Sequence, residues 1–242
     1  MDNTVIPAGT IVVGLDGSPS ADRALDWAID HARRERRQLT LVHGLEPMHE
    51  RAEALAMLDR ARLHCLEVAP DLAVHVALWM ADPRVALLDL GHSAATVVVG
   101  SHGRGPVSSV LLGSVGLSVT RHAPCPVVVV RPQHPGAVRN GVLVAADERS
   151  RPVVEFAYRQ ASLRDLPLTI VRTTDDELAV AEAVAGLAEK FPEVRSRTAA
   201  GDLTAGSRHL DLLVVGPGEG GVVNHAECPV AVVPIGVAGS PA

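Results

Sequence analysis

Short apolar runs alternate with amphipathic stretches of helical length through residues 10–131, and the alternation starts again at residue 141. Strands made of consecutive aliphatic side chains, rather than an in–out alternation, need apolar cover on both faces. Helices between them supply that cover and lead to a parallel sheet. Thr10–Leu15 (TIVVGL) is the first such run and ends at the turn residues Asp16-Gly17. Ser18 and Ser20 suit N-cap positions and Pro19 a first helical turn. Ala21, Ala24, Leu25, Ala28, Ile29 and Ala32 then share one helical face. Arg33–Arg37 (RRERR) is the solvated last turn of that helix, favoured by its dipole. Leu39–Leu45 predicts a second strand, residues 50–68 a second helix, and Leu72–Trp79 a third strand. Asp82-Pro83 opens a helix through Leu90, and Thr96–Gly100 (TVVVG) is the fourth strand. A helix from about Gly113 to Arg121 and a fifth strand, Val127–Arg131, complete the unit.

Pro132–Gly136 has the composition of a linker, and beyond it the pattern returns. Gly141–Asp147 (GVLVAAD) echoes Val12–Asp16, Leu168–Arg172 echoes the second strand, and Leu212–Gly216 (LLVVG) echoes the fourth. Ala226–Val230 (AECPV) echoes Ala123–Val127 (APCPV). Two copies of one unit account for all of this. The expected fold is α/β: two tandem doubly wound, Rossmann-like domains with five-stranded parallel sheets, at residues 1–133 and 138–242. Ligands of such folds sit at the carboxyl ends of the strands, where the winding reverses.

The second copy is truncated. Gly100 to Cys125 spans 25 positions and Gly216 to Cys228 only 12, a deficit of 13 residues. The missing stretch corresponds to the later part of the glycine-rich loop and most of the helix after it.

Composition removes several function classes. The 242 residues carry 28 acidic and 22 basic side chains, for a net charge of -6, with no long run of one sign. That leaves no basic patch for nucleic acid or a membrane surface. Aromatic residues are 2% of the chain, too few for base-stacking platforms. No apolar run has membrane-spanning length and Met1–Gly9 lacks the features of a secretory leader, so a soluble, cytoplasmic protein is expected. Cys65, Cys125 and Cys228 form neither a CxxC pair nor an even disulfide set, and no His/Cys spacing predicts a bound metal.

One stretch carries chemistry. Gly100-Ser-His-Gly103-Arg-Gly-Pro-Val-Ser-Ser-Val-Leu-Leu-Gly113-Ser114 places glycines three and ten residues apart, from the end of a strand to the start of a helix. A phosphate needs close backbone approach and several inward N–H donors; glycines permit the first and a helix N-terminus supplies the second. The stretch is neither a dinucleotide fingerprint nor a P-loop, because no Gly-Lys-Ser/Thr follows. Glycines that merely turn a loop after a strand would give the same spacing. Asp16, at the end of the first strand, can accept bonds from ribose hydroxyls, or serve as an Asx-turn residue.

These motifs resemble those of the universal stress protein family. Gly-x2-Gly-x9-Gly-Ser is matched by Gly100, Gly103, Gly113 and Ser114, the strand-one turn by Asp16-Gly17-Ser18, and the final-strand lead by Ala123–Val127. The resemblance extends over nearly the whole chain, as a tandem member with a degenerate second repeat, while its specific motifs lie in the first half. It implies an adenine-nucleotide α-hydrolase-like fold and an ATP site, with Mg2+ optional and AMP or ADP as alternatives. Asp16 and Gly100 would contact ribose; Gly103, Gly113, Ser114 and the Val115 backbone would hold phosphates; the backbone near Gly44 would read the adenine edge. Leu15 joins this set, and Arg104 is either a phosphate contact or a solvated loop charge. The family pairs through its last strand, so Val127–Val130 and Val230–Val233 would join the halves as an intramolecular pseudo-dimer, with a homodimer of chains left open.

Further residues have weaker assignments. His102 lies in the loop, but the sequence specifies no water or carboxylate that would make it a general base. His43 and His75, inside apolar strands, are expected in the core or at its rim. Cys125 and Cys228 recur at matching places, which favours packing over redox sensing. Three functions fit: a nucleotide-binding stress or signalling module whose occupancy alters conformation or partners, a slow ATPase on the same site, or an interaction protein without ligand. The resemblance favours the first, with no catalytic residue assigned.

Overall fold

The computed structural model describes residues 6–45, 51–103, 112–132, 138–147, 149–174 and 176–236. Its first half runs β1 (Ile11–Gly14), α1 (Pro19–Glu35), β2 (Leu39–Gly44), α2 (Arg51–Val68), β3 (Val74–Trp79), α3 (Pro83–Gly91), β4 (Thr96–Gly100), α4 (Ser114–His122) and β5 (Val127–Val130). The second runs β6 (Val142–Ala146), α5 (Arg151–Arg164), β7 (Leu168–Arg172), α6 (Glu177–Val184), α7 (Leu187–Lys190), β8 (Ser196–Ala199), β9 (Leu212–Val215), α8 (Gly220–His225) and β10 (Val230–Val232). The predicted helix starts hold for local reasons. Ser18 caps α1 by accepting the Ala21 amide at 3.2 Å, and Asp82 caps α3 by accepting the Arg84 amide at 2.8 Å, each with proline in the first turn.

All ten strands form one sheet in the order β3-β2-β1-β4-β5-β10-β9-β6-β7-β8. Every pairing is parallel except β5 with β10, where Val129 faces Val230 and Val127 faces Val232 in antiparallel register. Each half is therefore the doubly wound five-stranded parallel sheet expected from the sequence, and the two valine runs join edge to edge. The join removes an exposed apolar edge from both halves. The buried side chains fall into two layers. Ile11 and Val13 point into a layer covered by α1, α2, α5, α6 and α7, while Val12 points into one covered by α3, α4 and α8. Both layers run continuously beneath the two halves.

The second half departs from its copy at three places: α6 and α7 stand where the first half has α2, and a three-residue 3-10 turn, Ser207–His209, stands between β8 and β9 where the first half has α3; the third departure follows β9. The loop after β9 is only four residues long, and a six-residue α8 follows it, against nine residues in α4. Sequence reasoning expected most of that helix to be lost; its last turns remain because Val223 fills the apolar layer.

A polar cluster ties α1 to α5. The nearly buried carboxylate of Glu35 accepts Gln160 Nε2 at 3.0 Å and Arg37 Nε at 3.0 Å, with Arg159 Nε at 3.9 Å. His31 is fully buried beside it, its ring centroid 4.6 Å from that of Trp27. Burial, reinforced by the guanidinium charges of Arg164, Arg159, Arg37 and Arg34, holds the His31 imidazole well below its ordinary 6.5. Glu35 Oε1 lies 3.5 Å from His31 Nε2. The folded protein thus keeps His31 neutral where the unfolded chain takes up a proton, so stability is lost as pH falls below about 6.5. The melting temperature should drop between pH 7.5 and 5.5, and His31→Gln should flatten that slope; an equal slope in both proteins would contradict the assignment.

Candidate cleft at the carboxyl edge of the first half

The strand order places β1 and β4 side by side, with β2 on one flank and β5 on the other. From β1 the chain winds outward to β2 and β3, then crosses back to β4 on the far side. The loops leaving β1 and β4 consequently diverge and open a crevice at their carboxyl ends. Gly14, Leu15, Asp16, Gly44, Gly100, Gly103, Gly113, Ser114 and Val115 all line one cleft there, with about 750 Å³ of empty space counting its open mouth.

Eight of the nine residues assigned to nucleotide binding from the sequence thus come together across four separate loops and strand ends. The ninth, Arg104, lies outside the described residues. Reasoning from sequence missed much of the wall: Ala21, Val42, Pro83, Leu87 and Val99 give the cleft an apolar side. No motif marks them, because any aliphatic residue at a strand end or helix start would serve. His43, expected in the core or at its rim, is half-buried on the cleft wall with Nδ1 2.6 Å from the Leu15 carbonyl. His75 departs from expectation: it is exposed on the edge strand β3, with Nε2 2.7 Å from Gln38 Oε1.

The glycines have different jobs. A Cβ on Gly44 would lie 2.5 Å from Pro83 Cα, and one on Gly100 would lie 2.7 Å from the Ser20 carbonyl carbon. Both are therefore demanded by backbone packing. A Cβ on Gly103 would meet Asp16 Oδ2 at 3.0 Å, at the floor of the cleft. On Gly113 it would find nothing nearer than 3.8 Å, only backbone atoms of Ser101, His102 and Gly103 across the loop. Glycine there keeps a space open.

Donors converge on that space. The Gly113 amide is spent on the Ser101 carbonyl at 3.0 Å, and the first bond inside α4 runs from the Leu117 amide to the Gly113 carbonyl at 2.9 Å. The amides of Ser114, Val115 and Gly116 precede that bond and have no acceptor within their own helix. All three residues line the cleft. The helix dipole adds positive potential at the same point. Asp16 sits opposite, Oδ1 accepting the Ser18 amide at 2.9 Å in an Asx turn around Gly17, whose φ of 75° is left-handed. The turn reading and a ligand-facing carboxylate are thus compatible: one oxygen makes the turn and the other borders the cleft at Gly103. His102 lines the wall with Nδ1 2.9 Å from Ser101 Oγ, and its amide donates to Ser20 Oγ at 3.3 Å.

The other half differs at the matching point. Ile235 folds back over Gly216, the counterpart of Gly100, so that a Cβ there would meet Ile235 Cδ1 at 2.9 Å. Asp147, the counterpart of Asp16, accepts the Arg149 amide at 2.9 Å. The three cysteines are buried, and burial pushes the thiols of Cys65 and Cys125 up to about 11 and that of Cys228 up to about 12. They are protonated at neutral pH and act as packing. Among the described residues no group of three His, Cys, Asp or Glu side chains is placed to hold a metal ion, and no helix is long and apolar enough to cross a membrane.

Comparison with known proteins gives a consistent result. The sequence profile of the universal stress protein family matches residues 8–131. Universal stress protein Rv2005c of Mycobacterium tuberculosis is 30% identical over 262 positions, covering 88% of this chain and 88% of that protein. Universal stress protein Rv2623 of the same organism is 29% identical over 263 positions, covering 87% of each. Among solved structures, a universal stress protein of Archaeoglobus fulgidus superposes with a TM-score of 0.70 at 16% identity, covering 95% of this chain and 97% of that one. A protein described as a putative universal stress protein of Pseudomonas aeruginosa gives 0.67 at 17% identity, over 94% of this chain and 93% of that one. At such identities the superpositions speak for the fold.

Proposed function

The chain belongs to the universal stress protein family, and from that premise we propose that its first half binds ATP or a related adenine nucleotide, one per chain. The observation that carries this reading is the meeting of Asp16 with the open amides of Ser114, Val115 and Gly116 across a cleft whose other wall is apolar. The apolar wall suits a purine, the carboxylate suits ribose hydroxyls, and the helix start suits phosphate. Asp16 is the one carboxylate among the described lining residues and is taken by ribose in this reading, so a Mg2+ ion would draw its ligands from phosphate oxygens and water.

Residues 1–133 form the binding domain in this reading and 138–242 a degenerate partner domain, in which Ile235 covers the matching crevice. Occupancy of the first site would act in stress response or signalling by altering conformation or partner binding. Denaturing freshly purified protein and weighing what it releases should yield an adenine nucleotide, and calorimetry on the stripped protein should show about one site per chain. Absence of both released nucleotide and heat with ATP, ADP or AMP at millimolar concentration would overturn the proposal.

A further inference from the structure

A side chain of α8, in the degenerate half, reaches the residue that leads into α4. Asn224, on α8, accepts the Leu112 amide through Oδ1 at 3.1 Å. Leu112 immediately precedes Gly113, whose own amide is held by the Ser101 carbonyl at 3.0 Å. Two successive amides leading into α4 are thus pinned, one from each half of the chain. The contact is supported from both sides. Arg131, 4% exposed at the end of β5, donates through Nη2 to the carbonyl of Val223, the residue before Asn224. Leu112 and Val223 belong to one buried apolar layer, with Val115, Leu117 and Val222 packed against it.

The short loop after β9 makes this possible, because it delivers α8 directly to the sheet face on which α4 sits. A bond from another element to the residue before an N-cap restrains the direction in which the helix begins. That direction decides where the Ser114, Val115 and Gly116 amides point.

We propose that Asn224 is a positioning residue for the phosphate end of the cleft, so that the degenerate half sets the affinity of the first half for phosphorylated ligands. This rests on the nucleotide reading of the cleft. The loss of one partly buried hydrogen bond to a loop amide is expected to cost about tenfold in binding. The test compares Asn224→Leu, which removes the acceptor, with Asn224→Asp, which keeps one.

ATP and adenosine affinities of the full chain are measured by calorimetry, and exchange of the Leu112 amide by NMR or mass spectrometry without nucleotide. Asn224→Leu should bind ATP about tenfold more weakly, bind adenosine as the wild type does, and exchange the Leu112 amide faster. Asn224→Asp should restore amide protection, and in about 0.5 M salt, where its added charge is screened, most of the ATP affinity. Equal losses for ATP and adenosine would mean a general structural defect and overturn the proposal. Wild-type ATP affinity in Asn224→Leu would overturn it too while leaving the cleft reading intact. A wild-type protein that binds neither ligand would instead remove the cleft reading, and this inference with it.

Discussion

A Gly113→Val protein should fold and melt within a few degrees of the wild type, yet bind ATP at least about a hundredfold more weakly. Gly113 is the N-cap of α4 at φ -62° and ψ 160°, extended backbone that any residue adopts. A β-carbon there has 3.8 Å of clearance, so the fold does not object to it. The two γ-methyls of valine, however, would stand in the space bordered by the amides of Ser114 and Val115 and the backbone of Ser101–Gly103. Phosphate oxygens need that space to come within about 3 Å of the amides. Valine is also a weaker N-cap than glycine, which accounts for a cost of less than about 1 kcal/mol in stability. Calorimetric titration beside a thermal melt separates the two effects. Unchanged ATP affinity in a folded Gly113→Val protein would mean that phosphates do not lie at the start of α4.

Gly100→Ala should behave in the opposite way, destabilising the whole chain by about 3 kcal/mol whether or not nucleotide is present. The added carbon would lie 2.6 Å from Ser20 Oγ and 2.7 Å from both the carbonyl carbon and oxygen of Ser20. A rotating side chain could yield, but a backbone carbonyl in the first turn of a 17-residue helix cannot without moving that helix. Helix α1 covers β1, β4 and β5, so its displacement opens the largest apolar layer of the first half. Urea denaturation monitored by circular dichroism measures the loss. A Gly100→Ala midpoint matching that of the wild type would show that α1 sits less tightly on β4 than the geometry requires.

The contrast between these glycines explains why the site was only partly legible beforehand. Gly100, Gly103 and Gly113 appear in the sequence as one spaced motif, and spacing alone cannot tell a residue that yields to a neighbouring helix from one that yields to a ligand. Gly44 is similar: its lack of a side chain is dictated by Pro83, a partner 39 positions away in sequence. The apolar wall of Val42, Leu87 and Val99 carried no signal either, because these residues are chosen by the same burial that selects every other aliphatic in the sheet. His43 was assigned to the core or its rim from its strand, and only the neighbouring Leu15 carbonyl and the reversal of winding beside it put that rim on the cleft.

Local chemistry settled the rest in advance. Runs such as Val97-Val98-Val99 and Leu212–Val215 can be satisfied only by apolar cover on both faces, and that requirement follows from composition and order along the chain. Caps such as Ser18 and Asp82 act within three residues of themselves, so helix starts were readable without tertiary knowledge. The restart at residue 141 and the deficit before Cys228 likewise announced a repeated unit with one reduced copy. What the linear order could not contain was contact between distant segments: the antiparallel register of Val129 with Val230, the fold-back of Ile235 over Gly216, and the bond from Asn224 to the loop of the other copy. Each is a choice among neighbours that become neighbours only after the sheet has closed, so packing decides it and periodicity does not.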